Sequence, residues 1–276
     1  LWALWGPSHA DLFAAGDGGV VIHNIGPAFD VMTTPTVEDL RGLWGTALDN
    51  VYAVGDAGVV LHFDGSAWTQ MQSATERPLL SVWGSAGDDI FAAGVDGTIV
   101  HFDGTSWSAM DSGSGQTLAC VHGSNATHVI AVGNHGTILH YDGISWQPRA
   151  SGTGDVLQAV AVFSPDSALA VGANGTMLLW NGGDWSAAAF PTPEWLLDIT
   201  ATGPDDVTVV GAQTIVHFDG GDWTVPDGGT TALRGVWSQG PGEVVAVGDD
   251  GAVLTLAGGR WRRDVVARAR MRAVWG

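Results

Sequence analysis

The sequence has no lysine, one cysteine and few basic residues of any kind. All ten basic residues are arginine, against 29 Asp and Glu, so the formal net charge is −19. A strong negative charge repels nucleic-acid backbones and anionic membranes, and we expect neither as the main partner. The single cysteine, Cys120, cannot form an internal disulfide and indicates no redox compartment.

Long hydrophobic runs are also missing. No run of 18 or more apolar residues predicts a transmembrane helix, no signal peptide is visible, and no segment keeps a 3.6-residue apolar period. Direct membrane insertion is therefore not expected. Glycine and tryptophan are abundant instead, at 41 and 14 residues. This composition is typical of β-repeats, in which tight turns hold large packing side chains.

Three phrases recur about every 39 residues, which is the signature of a repeat architecture. The tryptophan slot of Leu-x-x-Val-Trp-Gly falls at Trp5, Trp44, Trp83, His122, Ala161, Thr200, Trp237 and Trp275. The first glycine of Ala-Val-Gly-x-x-Gly falls at Gly16, Gly55, Gly94, Gly133, Gly172, Gly211 and Gly248. The last slot of His-Phe-Asp-Gly-x-x-Trp falls at Phe29, Trp68, Trp107, Trp146, Trp185, Trp223 and Trp261.

Each copy predicts four short strands separated by turn signals. In the third copy the strands are expected at Leu79–Trp83, Ile90–Gly94, Thr98–Phe102 and Trp107–Met110. Four antiparallel strands per unit form the blade of a propeller. The sequence therefore predicts an all-β fold, a seven-bladed β-propeller in one domain. Its blades are expected at about 1–39, 40–78, 79–117, 118–156, 157–195, 196–232 and 233–270.

Two features of the first strand complicate this ring. Leu1–Gly6 and Met271–Gly276 are both copies of it, so one copy is surplus. Either the natural protein continues past Gly276, or one terminal strand is displaced or pairs with another copy of the chain. We expect Leu1–Gly6 to complete the first blade and 271–276 to lie near or over it. Two residues after the leading leucine, most copies have a small residue, which lets inner strands crowd around a central channel. Asp198 is the exception.

Together, the three phrases form a repeat that resembles that of propellers of the photosystem II assembly factor type. The repeat also resembles that of the long tandem-repeat surface proteins of bacteria. Asp-Gly-x-x-Trp is similar to the Asp-box (BNR-type) turn of sialidase-like propellers, in which this turn is structural. The resemblance implies a propeller along the whole chain. It does not imply sialidase activity, which needs an arginine cluster and a Tyr–Glu pair. Tyr52 and Tyr141 occupy ordinary repeat positions, and the chain has only four glutamates.

The repeated histidines raise the question of a metal site. They share one slot, at His23, His62, His101, His140 and His217. In four copies an aspartate two residues later points to the same face. Because each pair belongs to a different blade, we expect no metal centre but a histidine hydrogen-bonded within its blade, which locks the turn that follows. No cofactor is expected, although some turn aspartates could bind a structural calcium ion.

Catalytic motifs are weak, and no copy carries a long insertion of the kind that builds propeller active sites. We therefore predict a non-enzymatic binding or scaffold module, secreted or at the cell surface, that contacts protein or polysaccharide. A lectin is the alternative, and a glycoside hydrolase or lyase is a weaker one. One fold hosts many functions, so the fold alone does not decide between them.

Two departures from regularity are candidate binding sites. Tryptophan fills the first-strand slot on one side of the ring only, and these rings could form a shallow ligand-binding face or pack between blades: Trp5, Trp44, Trp83, Trp237 and Trp275. Arginines cluster near the carboxyl end, where they could contact an acidic partner, such as another copy of the chain, or lie on a solvated strand: Arg260, Arg262, Arg263, Arg268, Arg270 and Arg272.

Overall fold

The structure is a computed structural model that describes residues 2–8, 11–25, 28–225, 232–249, 252–257 and 260–265. These residues form seven antiparallel sheets of four strands each. Blades 1 to 4 contain β1–β4 (Ala3–Ser8, Asp11–Ala15, Val21–Ile25, Ala28–Met32), β5–β8 (Leu40–Ala47, Asn50–Gly55, Val60–Phe63, Trp68–Met71), β9–β12 (Leu79–Ala86, Asp89–Gly94, Ile99–Phe102, Trp107–Met110) and β13–β16 (Leu118–Asn125, His128–Gly133, Ile138–Tyr141, Trp146–Arg149). Blades 5 to 7 contain β17–β20 (Leu157–Ser164, Ser167–Gly172, Met177–Trp180, Trp185–Ala187), β21–β24 (Leu196–Gly203, Asp206–Gly211, Thr214–Phe218, Trp223–Thr224) and β25–β28 (Leu233–Gly240, Glu243–Gly248, Ala252–Ala257, Arg260–Val265).

The seven sheets form a ring, which confirms the predicted seven-bladed propeller. Within each blade the strands pair in chain order, and the first strands of successive blades contact each other around a central channel. We call upper the face that carries the turns between second and third strands and the connections between blades. The lower face carries the turns between first and second and between third and fourth strands.

Short 3-10 turns, rather than simple two-residue hairpin turns, join the second and third strands of the first five blades. They span Asp17–Gly19, Asp56–Gly58, Val95–Gly97, Asn134–Gly136 and Ala173–Gly175. Among the described residues, no helical segment is long and apolar enough to cross a membrane.

The glycines of Ala-Val-Gly-x-x-Gly are required by these turns. In the third blade a Cβ on Gly94 would lie 2.0 Å from the carbonyl oxygen of Pro78. Gly97 has a φ of +70°, and a Cβ there would lie 1.8 Å from the carbonyl oxygen of Ser114. The turn thus packs directly on the connections before and after the blade, and only glycine leaves room for them.

Three of the seven repeats, in blades 2, 3 and 7, have tryptophan in both the first-strand and the fourth-strand slot, and in blades 2 and 3 both rings pack on neighbouring blades. The first-strand tryptophan lies over a glycine of the following blade: a Cβ on Gly84 would be 2.6 Å from Cη2 of Trp44. The fourth-strand tryptophan packs on the preceding blade, where Trp107 meets Tyr52 edge to face with ring centroids 6.5 Å apart. Both rings are at most 6% exposed, so they are part of the interface between blades.

The ring closes between blades 7 and 1 by side-chain packing. In the first blade, β1 is the innermost strand and pairs with β2. Leu4 of β1 packs against a buried cluster that includes Trp237 and Val247 of blade 7. The surplus first-strand copy at 271–276 lies outside the described residues.

Candidate functional site

The central channel contains a cavity of about 580 Å³ whose walls are the seven first strands. On blades 1 to 3 the cavity touches only the upper half of each strand, such as Arg41–Leu43 of β5. On blades 4 to 7 it extends toward the lower face, reaching His122, Phe163, Ala201 and Ser238. The channel is therefore wider on one side of the ring.

The missing tryptophans explain this asymmetry. Blades 4, 5 and 6 have His122, Ala161 and Thr200 in the slot that holds tryptophan in the other four blades. All three of these residues line the cavity. Loss of the large indole ring leaves space that the following blade does not fill.

The tryptophans that we named as candidate ligand contacts lie between blades. Trp5, Trp44, Trp83 and Trp237 are only 4–7% exposed. The first three lie over Gly45, Gly84 and Gly123 of the next blade. Ligand binding by these rings stays a prediction, with little ring surface available for it, and Trp275 lies outside the described residues.

Polar side chains in the channel bond to the inner edge of the following blade. Ser81 accepts a hydrogen bond from Val121 N at 3.1 Å, and His122 Nδ1 accepts one from Val162 N at 3.2 Å. Asp198 Oδ2 accepts one from Val236 N at 2.9 Å, while its Oδ1 accepts the Ile199 N–H at 2.9 Å. These bonds satisfy backbone donors that have no strand beside them.

Burial shifts the ionisation of the groups in the channel. It raises the pKa of Asp198 to about 7, against the two backbone hydrogen bonds that lower it. Burial also lowers the pKa of His122 to about 4 and raises the pKa of Cys120 to about 11. At neutral pH the histidine and the cysteine are uncharged, and Asp198 is close to its midpoint.

Two arginines stand at the upper mouth of the channel, each held by an aspartate of its own blade. Arg41 forms two hydrogen bonds with Asp56, at 3.0 and 2.7 Å, and its guanidinium lies 4.2 Å from the Trp2 ring centroid. Arg234 forms the equivalent pair with Asp249, at 2.8 and 2.7 Å. The hydrogen bond with the aspartate raises the pKa of each guanidinium further.

Apolar side chains surround the same mouth. Leu80 and Leu197 line the channel and are partly exposed, as is Trp2. Trp195, in the connection that precedes β21, is 47% exposed on the upper face. The lower face has its own exposed apolar residue, Ile144, which is 85% exposed in the turn before β16.

The repeated histidines lie on the third strands of their blades. His62 Nε2 pairs with Asn50 Oδ1 at 2.8 Å, and His101 Nε2 pairs with Asp89 Oδ1 at 2.6 Å. The bond is thus within the blade as expected, but it reaches back to the start of the second strand rather than to the turn that follows. His140 differs, because it accepts a hydrogen bond from Trp185 of the next blade at 3.0 Å.

The turn aspartates accept backbone hydrogen bonds. Asp103 Oδ1 is 2.9 Å from both Thr105 N and Ser106 N, and these bonds lower its pKa. Within the described ranges, no group of three or more His, Cys, Asp or Glu side chains is placed to hold a metal ion. Structural calcium stays a prediction.

The carboxyl-end arginines are only partly described. The structure places Arg260, Arg262 and Arg263 on β28, the outermost strand of blade 7, and the first two are exposed. Arg268, Arg270 and Arg272 lie outside the described residues. A partner contact by this cluster stays a prediction.

Asp198 was noticed in the sequence only as an exception in a slot of small residues. That exception was the available signal, but it did not predict the hydrogen bond to the next blade. The bond to Val236 joins two blades, and the widening of the channel beside it depends on two other repeats as well as its own.

No protein-family model and no curated protein matches this sequence. Solved structures do match it. One described as YCF48 bound to D1 peptide has a TM-score of 0.73 at 16% identity, covering 93% of this chain and 92% of that one. YCF48 from Cyanidioschyzon merolae has a TM-score of 0.66 at 16% identity, with coverages of 86% and 88%. The C-terminal WD40 domain of Sif2 has a TM-score of 0.74 at 15% identity, with coverages of 92% and 80%.

At these identities the similarity shows the propeller fold alone. The fold agrees with the resemblance to photosystem II assembly factor propellers. The Asp-box type stays a prediction.

Proposed function

We propose that this propeller is a non-enzymatic scaffold that binds protein partners through its upper face. The observation that carries the proposal is the exposed apolar surface at the channel mouth, where Trp195 is 47% exposed and Leu80 and Leu197 are partly so. Large aromatic side chains of this kind dominate protein-binding surfaces.

Two further observations support a binding role. One propeller that is similar over nearly the full length of both chains is described as bound to a peptide. The repeats also keep almost constant length, so neither face carries the long, unequal loops that build an enzyme site. Binding sites elsewhere are commonly built from residues on a rigid scaffold, which a closed ring of blades provides.

The finer parts of the proposal are the compartment and the alternative partner. We place the module outside the cell or on its surface, because its repeats resemble those of bacterial surface proteins. Polysaccharide is the alternative partner class. The strongly negative chain favours partners that are neutral or basic over nucleic acid.

Photo-cross-linking compares the two faces directly. A photoreactive phenylalanine analogue replaces Trp195 on the upper face or, as the matched control, Ile144 on the lower face. Illumination in an extract of the source cells should give a discrete protein adduct at position 195 and none at position 144. Equal labelling at both positions, or none at 195, would contradict the proposal. Binding to a glycan array without any protein adduct would favour polysaccharide.

A further inference from the structure

We propose that the wide side of the central channel is a binding site for an organic cation, in which the carboxylate of Asp198 holds a guanidinium or ammonium group. This site lies inside the ring. It goes beyond the proposed scaffold function and does not depend on it.

The cavity has the size that a small ligand needs. Its volume of about 580 Å³ lies within the range of about 300–1,000 Å³ typical of ligand pockets. It is widest where His122, Ala161 and Thr200 replace tryptophan, so the space comes from repeats that break the pattern. Residues that conform to a repeat maintain the fold, whereas these three open a pocket.

The charge of Asp198 exceeds what the fold requires. Ser81 occupies the same slot in blade 3 and accepts the equivalent hydrogen bond from Val121 N at 3.1 Å. A neutral hydroxyl thus suffices for the bond that Asp198 makes with Val236 N. Desolvating a carboxylate costs far more than desolvating a hydroxyl, and this cost raises the pKa of Asp198 to about 7. A cation beside the carboxylate would offset the cost and favour the ionised form.

Basic groups near the cavity are engaged elsewhere. Within the part of the chain that the structure describes, no basic side chain forms an ion pair with Asp198. Arg41 and Arg234 line the cavity at its mouth, but their guanidinium groups pair with Asp56 and Asp249. A cation from outside would supply the missing positive charge.

The remaining ionisable groups that line the cavity add no charge beside Asp198 near neutral pH. His122 and Cys120 are uncharged there, because burial lowers the pKa of the first to about 4 and raises the pKa of the second to about 11. Burial raises the pKa of Asp198 to about 7, and a bound cation would lower it again. Each carboxylate oxygen accepts one backbone N–H, which leaves further lone pairs for a ligand.

A pair of probes that differ only in charge tests the site. Propylguanidinium and the neutral propylurea have the same shape, and calorimetry measures their binding to the whole protein. We expect the cation alone to bind. Its affinity should fall about 30-fold between about pH 8.5 and about pH 5.5, because a carboxyl with a pKa of about 7 is ionised for only about 3% of the time at the lower pH.

Three variants assign the binding to this place in the channel. Asp198→Asn removes the charge, and the exposed Asp222→Asn of the same blade is its control. Ala161→Trp combined with Ala201→Gly fills the pocket by restoring the tryptophan-over-glycine packing of the other blades. We expect the affinity for the cation to fall at least tenfold in Asp198→Asn and in the filled-channel variant, and to be unchanged in the Asp222→Asn control.

The guanidinium or ammonium group could belong to a free organic cation or to a basic side chain of a peptide that enters the channel. Acetyl-Gly-Arg-Gly-amide and its citrulline counterpart distinguish them. Binding of the arginine peptide at least tenfold tighter than propylguanidinium would point to a side chain, and the reverse to a free cation. Absence of binding by both cations, equal binding of propylurea, or full binding to the filled-channel variant would overturn the proposal.

Discussion

The two tryptophans of a repeat reach neighbouring blades in opposite directions. Trp44 extends forward over Gly84, whereas Trp107 extends back onto Tyr52. The glycine in Val-Trp-Gly therefore serves the tryptophan of the preceding repeat rather than its own. The tryptophan of one blade and the glycine of the next form one contact, and a change in either residue disrupts the packing of the other.

Replacement of Gly84 by alanine should destabilise the ring. The new Cβ would lie 2.6 Å from Cη2 of Trp44, and relief of that overlap should cost about 1–3 kcal/mol of unfolding free energy in urea titrations. Trp44→Ala should cost about 3–5 kcal/mol. Removal of the ring relieves the closest overlap and leaves the contact of 2.9 Å with the carbonyl oxygen of Asp89, so the double variant should be less destabilised than the sum of the two.

Gly240→Ala is the control, since nothing lies within 4 Å of a Cβ at that position. Equal losses at Gly84 and Gly240, or additive effects of Gly84→Ala and Trp44→Ala, would show that the ring does not occupy the space above the glycine.

Turn aspartates should make the fold sensitive to acid. Backbone N–H groups lower the pKa of Asp64, Asp103, Asp142 and Asp219 in the folded state below the ordinary value of 3.8. The stabilisation is complete above the unfolded pKa and disappears as the pH falls through the folded pKa. Melting temperatures should therefore drop below about pH 4.

The fifth repeat supplies a control for this acid effect. Asn181 holds the same turn without charge and accepts N–H groups from Gly183 and Asp184 at 3.0 and 2.9 Å. Changing all four aspartates to asparagine should lower the melting temperature at neutral pH, because the stabilisation by the ionised form is lost, and should reduce the further loss in acid. An acid transition identical to that of the wild type would contradict this explanation.

At the scale of the blade, the interfaces that lack tryptophan should accept one only together with glycine. Thr200→Trp alone would place the indole ring against Ser238 of the following blade and should lower the melting temperature. Adding Ser238→Gly recreates the pairing of Trp44 with Gly84 and should restore it. A double variant no more stable than Thr200→Trp would argue against this view of the interface.

The strands of a blade were largely predictable from the sequence, because turn residues bound short apolar runs. In the third copy the second and fourth strands were predicted almost to the residue. The first strand continues from Trp83 to Ala86, beyond its predicted end. Gly84, Ser85 and Ala86 give no apolar signal, since Gly84 must be small to lie under Trp44 of another blade.

The channel site was less predictable, because it is made by contacts between repeats. The sequence showed that only some repeats have the first-strand tryptophan, but this pattern suggested a ligand-binding face made of aromatic rings. The structure places Trp5, Trp44, Trp83 and Trp237 between blades, and the open space lies where tryptophan is absent. Strand periodicity describes one blade and carries no information about which side of the ring a gap will open.

For the whole molecule, charge is distributed unevenly, with arginines gathered on the last blade of an acidic ring. Association between copies through this cluster should weaken with salt, which screens exposed charges over about 10 Å at 0.1 M. Sedimentation velocity at about 0.05 M and about 0.5 M salt measures it. We expect Arg260→Gln with Arg262→Gln to reduce association at low salt, and equal association at both salt concentrations would refute the idea.

The central claim is a closed ring of seven blades, each built from one continuous stretch of chain. A crystal structure of the protein tests it most directly. The account predicts seven four-stranded sheets around one channel, with Ala3–Ser8 as the innermost strand of the first blade and Trp44 over Gly84. A ring of six or eight blades, or a first blade whose innermost strand comes from another segment, would contradict it.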